Sequence, residues 1–202
     1  VLMDIIQSLL KTRVGTFGAF CFDDGRTQPP VAFAFGAYKE RPPLVRIQSE
    51  CLTGLVFGSL TCDCAGQRDD ALDAIAADGA GVVIHLWQEG RGIGLADKMR
   101  AYARQINDGA DTVDANLLIG RQIDERSYVD VKAILNWFQI PAVRLLTNNP
   151  SKVDALRQLG IEVAETVSIP PQVNPLNRNY IRTKAVRLNH TYDLSSVDAV
   201  DD

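Results

Sequence analysis

The sequence predicts an α+β fold in which mixed β-sheets carry packed helices. Two observations predict it. The first fifty residues are dense in aromatic and β-branched residues interrupted by turn chemistry, and from Gln67 onward stretches of strand length alternate with helical periodicity. With 202 residues, 46 % hydrophobic and 23 % charged, the chain can fill one core. The expected organisation is a single domain over residues 1–190, β-rich over residues 1–50 and α/β over 51–190. The acidic end 191–202 reads as a flexible tail.

The elements follow in order. VLMDIIQSLLKTR, residues 1–13, reads as an amphipathic first helix; it lacks the basic n-region and small-residue cleavage site of a signal peptide. Residues 14–23 and 31–38 read as two strands of a hairpin or meander around Asp-Asp-Gly-Arg-Thr-Gln-Pro-Pro, and 44–48 as a third strand. A helix is expected over 67–78 on the spacing of Leu72, Ile75 and Ala76, with Gly79 as its stop. GVVIHLW (81–87) is a compact buried strand. The glycine-rich run from Gly90 leads into a helix with Leu95, Met99 and Tyr102 on one face. Asp124 is read as the start of a helix whose Val131, Ile134, Leu135 and Phe138 face the core. Residues 142–147 form a strand, Asn149-Pro150 caps and opens a helix ending at Gly160, and IEVAETVSI is the last strand.

Composition narrows function. No apolar run reaches the ~18–20 residues that cross a bilayer, so no membrane partner is expected and the cytoplasm is the expected location. A net charge of −4 and a pI near 5.2 argue against a nucleic-acid polymer as partner but leave room for a single nucleotide. Four cysteines are too few for a disulfide framework, yet three of them crowd together. Cys51 precedes Cys62 and Cys64, two thiols in one short turn, and three such ligands make three corners of a tetrahedron. An open fourth corner suits a catalytic zinc, which lowers the pKa of bound water toward ~7. Spacing alone leaves a second reading open, that of three small buried hydrophobes. Cys21, between Phe20 and Phe22, reads as core.

The flanking blocks resolve this choice. RIQSECLTGLVFGSLTCDCAGQ (46–67), HLWQEGRGIGLADKMRAY (85–102), DTVDAN (111–116), DERSY (124–128) and LLTNNPSKV (145–153) resemble, in order and spacing, the signature blocks of GTP cyclohydrolase II. With the tail motif Asn179–Lys184 they extend the resemblance over about two-thirds of the chain. A bifunctional relative would carry a dihydroxybutanone-phosphate synthase domain before residue 1, for which this sequence has no room. The resemblance implies a GTP cyclohydrolase II-like fold and a homodimeric, zinc-dependent enzyme of the riboflavin pathway. That enzyme opens GTP at C8, releases formate, and expels pyrophosphate from a triphosphate accompanied by Mg²⁺.

Carried over position by position, the resemblance makes Cys51, Cys62 and Cys64 the zinc ligands. It makes Arg46, Ser49, Glu50, Gln67, Glu89, Gly90, Arg91, Thr112, Thr147 and Lys152 nucleotide contacts. Tyr102 becomes an aromatic near the reacting ring, while Asp124 and Arg126 become the base and the nucleophile at the α-phosphorus. Residue chemistry supports some of this assignment. A glycine-rich turn with Arg91 suits an anion, and Lys152 in a first helical turn opposes the helix dipole unless an anion docks there. Plainer readings stand beside them: Gln67 as a solvated first-turn residue, Tyr102 packing on Leu95 and Met99, and Asp124 as an N-cap beside a solvated Arg126. A guanidinium pKa above ~12 makes Arg126 a reluctant nucleophile, so nucleophile and charge stabiliser both remain open.

Four positions depart from the family pattern near the cysteines: Gln48 for His, Leu55 for Asp, Thr61 for Arg and Ala65 for Gly. They keep two alternatives beside the main reading, a diverged paralogue with another guanine nucleotide or a formylated product, and a catalytically silent nucleotide-binding subunit.

Overall fold

A computed structural model describes residues 3–198. The strands are β1 (Asp4–Thr12), β2 (Gly15–Asp23), β3 (Val31–Gly36), β4 (Leu44–Ser49), β5 (Ala80–Leu86), β6 (Ala142–Leu146) and β7 (Glu162–Val167). The helices are α1 (Leu52–Leu55), α2 (Cys64–Asp78), α3 (Leu95–Asp108), α4 (Asp114–Leu118), α5 (Val129–Phe138), α6 (Pro150–Gln158), α7 (Arg178–Leu188) and α8 (Leu194–Asp198), with a 3₁₀ turn at Glu89–Gly92. These elements form two compact units, each drawn from three stretches of chain. One holds the chain up to Gln48, Arg68–Trp87 and Tyr128–Ile169; the other holds Ser49–Gln67, Gln88–Ser127 and the chain from Pro170 onward.

The first unit is built on a seven-stranded mixed sheet in the order β1-β2-β3-β5-β4-β6-β7. Strands β1, β2, β3 and β5 pair antiparallel in sequence, whereas β4, β6 and β7 pair parallel. The α+β expectation holds, with one correction at its start. Residues 4–12 are the edge strand β1, not a helix. Ile5, Ile6, Leu9 and Leu10 satisfy helical spacing as well as strand spacing, so local pattern could not separate the two. Pairing decides: β1 runs antiparallel along all of β2, from Asp4 opposite Asp23 to Thr12 opposite Gly15. An edge strand is paired on one side only, and Ile6 and Leu9 of β1 remain exposed.

One face of this sheet packs on α5, which buries Val131, Ile134, Leu135 and Phe138 with Val45, Ile47, Val143 and Leu145. The expected inward face is therefore correct, but the helix opens at Val129. Asp124 lies five residues earlier in irregular chain, which removes its reading as an N-cap. A second cluster joins Ala71 and Ile75 of α2 to Phe17, Leu44, Val83 and Leu146. Asn149 caps α6 as expected, its side chain accepting from the Ser151 N–H at 2.9 Å, with Pro150 in the first turn.

The second unit gathers α1, the 3₁₀ turn, α3, α4, α7 and α8. Arg187 of α7 pairs with Asp111 at 2.6 Å and Asp114 at 2.8 Å. Helix α8 occupies some of the segment read as a tail, and Val197 is buried there; residues 199–202 lie outside the described residues. No helix among the described residues is long and apolar enough to cross a membrane.

Candidate active site

Cys51, Cys62 and Cys64 converge in the second unit. Their sulfurs lie within 4.8 Å of one another, with Cys51 and Cys62 at 3.9 Å. Gly54 makes the convergence possible: a Cβ there would stand 2.8 Å from the Cys62 sulfur and 3.2 Å from that of Cys51. Hydrogen bonds from the other two thiols hold Cys51 far below the ordinary thiol range against its burial. The same bonds help push Cys64, and to a lesser degree Cys62, upward. Three soft donors in one cradle could hold a metal ion.

A buried ion pair stands against this cluster. Lys98 Nζ donates to Glu89 Oε1 at 2.8 Å, Thr53 Oγ1 at 2.9 Å and Cys51 Sγ at 3.2 Å. Burial pulls the Lys98 ammonium down, but Glu89, Tyr102 and Cys51 together hold it above the ordinary lysine range. Tyr102 contacts the same group through its hydroxyl, 3.3 Å from Thr53 Oγ1, and burial keeps that phenol protonated past its usual value. The hydroxyl of Tyr102 thus reaches the cluster's neighbours, while Leu95 and Met99, on which the plainer reading packs it, are exposed.

The turn expected to bind an anion is strained. Gly90 and the non-glycine Arg91 both adopt left-handed backbone, at φ 60° and 62°. Such a conformation costs Arg91 on the order of 1–3 kcal/mol and marks sites where geometry is imposed. Its Nη2 reaches Thr112 Oγ1 at 3.4 Å, while Nη1 is buried with no partner among the described residues. A buried, unpaired guanidinium nitrogen calls for an acceptor. The Gly90 N–H, by contrast, is already taken by Glu89 Oε1 at 2.8 Å, so the turn offers fewer free amides than its glycines suggest.

Asp124 and Arg126 form a forked pair. Arg126 Nε donates to Asp124 Oδ1 at 2.8 Å, and Nη2 bonds the other oxygen. Burial alone would lift the Asp124 carboxyl, but Arg126 outweighs it and holds the group below its ordinary value. Gln67 is equally committed: its Nε2 donates to Asp63 Oδ2 at 2.6 Å and to the Tyr192 hydroxyl at 3.2 Å, which replaces the reading of a solvated amide. Ser49 and Glu50 are half-buried immediately before Cys51.

Arg46, Thr147 and Lys152 belong to the first unit. Arg46 is buried, its Nε and Nη2 both on Gln48 Oε1 at 3.1 and 3.0 Å. Lys152 is buried too, and donates to the Ile47 carbonyl at 2.9 Å, while Thr147 Oγ1 accepts the Asn149 N–H at 3.1 Å. Arg46 and Lys152 are thus enclosed cations held at β4, not solvated surface charges.

The family model for GTP cyclohydrolase II matches residues 4–168. The chain belongs to the GTP cyclohydrolase II family. It is 45 % identical over 188 residues to the GTP cyclohydrolase-2 of Azotobacter vinelandii, covering 92 % of this chain and 90 % of that one. To the GTP cyclohydrolase-2 of Hahella chejuensis it is 47 % identical over 183 residues, with 90 % and 88 % coverage. A riboflavin biosynthesis protein of Vibrio vulnificus is 46 % identical over 195 residues; this chain covers 53 % of it, about half its length.

Within this GTP cyclohydrolase II fold, several residues escape a reading of the sequence. In sequence Lys98 is one more polar residue of α3, and Thr53 a small polar residue two places after Cys51. Asp63 is a spacer between two cysteines, yet it is buried and pairs with Lys184 of α7 at 3.1 Å. A charged residue at a half-apolar helix position is the one local signal any of them gives.

Proposed function

We propose that this chain hydrolyses GTP, opening the imidazole ring at C8. The products are formate, pyrophosphate and 2,5-diamino-6-(5-phosphoribosylamino)pyrimidin-4-one, at the entry to riboflavin biosynthesis. One water opens the ring, a second frees the formyl carbon as formate, and a third cleaves the α–β phosphate link. The observation that carries this reading is the three-thiol cradle over Gly54 in a chain of this family. Cys51, Cys62 and Cys64 would hold Zn²⁺, which supplies Lewis-acid activation of water at neutral pH. Mg²⁺ would accompany the triphosphate, and the working enzyme would be a homodimer in the cytoplasm.

The chain's own residues divide the remaining work. Arg91 has an unpaired buried donor and a backbone held for one purpose, which fits a phosphate or guanine acceptor. The same reading makes Arg46, Ser49, Glu50, Gln67, Glu89, Gly90, Thr112, Thr147 and Lys152 individual nucleotide contacts. The hydrogen bonds of Glu89 and Gln67 support indirect roles for their side chains, with backbone and neighbours meeting the ligand. Tyr102, kept protonated, is equipped to donate a proton or hydrogen bond. Arg126 is better suited to stabilising phosphoryl charge than to attacking phosphorus. A carboxylate already held low is a weak base, so Asp124 lacks the driving force to strip a guanidinium.

The test is turnover by the purified chain with GTP, Mg²⁺ and Zn²⁺, following formate, pyrophosphate and the pyrimidine. All three are expected in equal amounts. A metal-loaded protein that turns over no guanine nucleotide would overturn the reading. The loop between Cys51 and Cys62 favours one variant of it: Leu55 and Thr61 replace charged residues, and Val56, Phe57 and Leu60 are exposed there. Turnover of another guanine nucleotide in preference to GTP, or a formylated end product, would identify that diverged form.

A further inference from the structure

We propose that Lys98 is a positioning residue for the metal centre, acting through a directed N–H···S bond to Cys51. The inference rests on the reading of Cys51, Cys62 and Cys64 as metal ligands. An ammonium has three donors, and here two end on oxygens, of Glu89 and Thr53, and the third on the Cys51 sulfur. The side chain is buried, so water does not compete for these donors. Its place is built rather than incidental. Gly90 stands where a Cβ would come within 3.1 Å of the Lys98 Cβ, so a residue without a side chain eases the close approach of α3 to the turn.

Glu89 shows why the effect is directional. Its carboxylate already neutralises Lys98, so Cys51 receives a hydrogen bond, not a free positive charge. That carboxylate also fixes two backbone positions. Oε2 accepts the N–H of Leu52, next to Cys51, at 2.7 Å, and Oε1 accepts the N–H of Gly90, next to Arg91, at 2.8 Å. One buried pair therefore ties a thiolate ligand to the strained arginine turn, and sets both sulfur direction and sulfur electron density. Partners of metal ligands commonly do both.

The experiment uses Co²⁺ as probe in the full chain, reading the sulfur-to-cobalt charge-transfer band and the metal affinity by chelator competition. A hydrogen bond to a thiolate lowers its lone-pair energy, so removing the bond shifts the band to longer wavelength. K98M should show that shift and bind metal about 10–100-fold more weakly. E89Q removes the neutralising charge, strengthens the N–H···S bond, and should shift the band to shorter wavelength; it keeps the test alive where K98M fails to fold. A band at the wild-type position in both folded variants would overturn the proposal, whatever the affinity, because Lys98 would then be merely structural. A wild-type chain that gives no thiolate–cobalt band would instead overturn the metal reading itself.

Discussion

Lys184 Nζ sits 3.1 Å from each carboxylate oxygen of Asp63, the residue between Cys62 and Cys64. The pair is almost fully enclosed, and the Tyr180 and Tyr192 rings lie 5.2 and 5.3 Å from the same ammonium. Burial pulls Lys184 down, yet Asp63 and the two tyrosines hold it above the ordinary lysine range. Its contribution to stability is therefore complete at neutral pH and is lost only as pH rises past that range.

Removing this cation leaves Asp63 buried without it. K184M should cost about 3–5 kcal/mol of stability, the usual result of breaking a buried pair from one side. Urea unfolding of the wild type and variant at pH 7 measures it; a loss below about 1 kcal/mol would show that Asp63 finds compensation elsewhere.

Gly54 should be irreplaceable for a different reason. G54A places a methyl group 2.8 Å from the Cys62 sulfur, and overpacking of this kind costs about 1–3 kcal/mol. Bound zinc per chain should fall sharply while the far-ultraviolet circular dichroism is unchanged. Full zinc content in G54A would mean that the cysteine cradle yields more easily than its geometry indicates.

Arg91 offers a trade between stability and function. R91G relieves the left-handed strain and should stabilise the chain by about 1 kcal/mol, while raising KM for GTP because the unpaired buried donor is gone. Thermal unfolding and steady-state kinetics should move in these opposite directions. A lower melting temperature together with an unchanged KM would contradict both halves.

Arg126 should matter to phosphate chemistry and not to metal loading. R126A is expected to retain zinc and lose about 10²–10³-fold in pyrophosphate release, the scale of one transition-state hydrogen-bond donor. Pyrophosphate formation at the wild-type rate would remove Arg126 from the reaction.

In the first unit, Asp78 accepts from Arg144 at 2.6 Å and Arg41 at 2.7 Å, and Arg144 in particular holds its carboxyl below the ordinary value. A depressed carboxyl stabilises the fold above its unfolded pKa and loses that contribution as pH falls through the folded one. D78N should therefore lower the melting temperature at pH 7 and narrow its gap to wild type in strong acid. Parallel melting curves at every pH would show the pair to be idle.

How much of this was legible depended on the range of each signal. Local patterns located β2 to β7, the cap at Asn149 and the buried face of α5, because alternation, caps and apolar stripes are written in neighbouring residues. They fail at residues 4–12, where the strand is specified by its partner, and at Asp124, whose capping chemistry has no helix to cap. The cysteines were visible as a cluster. The Lys98–Glu89 and Asp63–Lys184 pairs are not visible, since a buried ion pair is defined by two separate positions and neither residue is unusual alone.

The mixed sheet also has an order in time. Strands β1, β2 and β3 pair with their sequence neighbours across short turns, so that end can close early in the chain. The β4–β6 seam instead joins Leu44 to Arg144 and Val45 to Leu145, and must wait for everything between to be made. Loop closure and non-local pairing are the slow steps of folding. A nascent chain would thus carry a finished β1–β2 hairpin while β4 still waits for β6, and that β4 edge is where a stalled or truncated chain would stick to another.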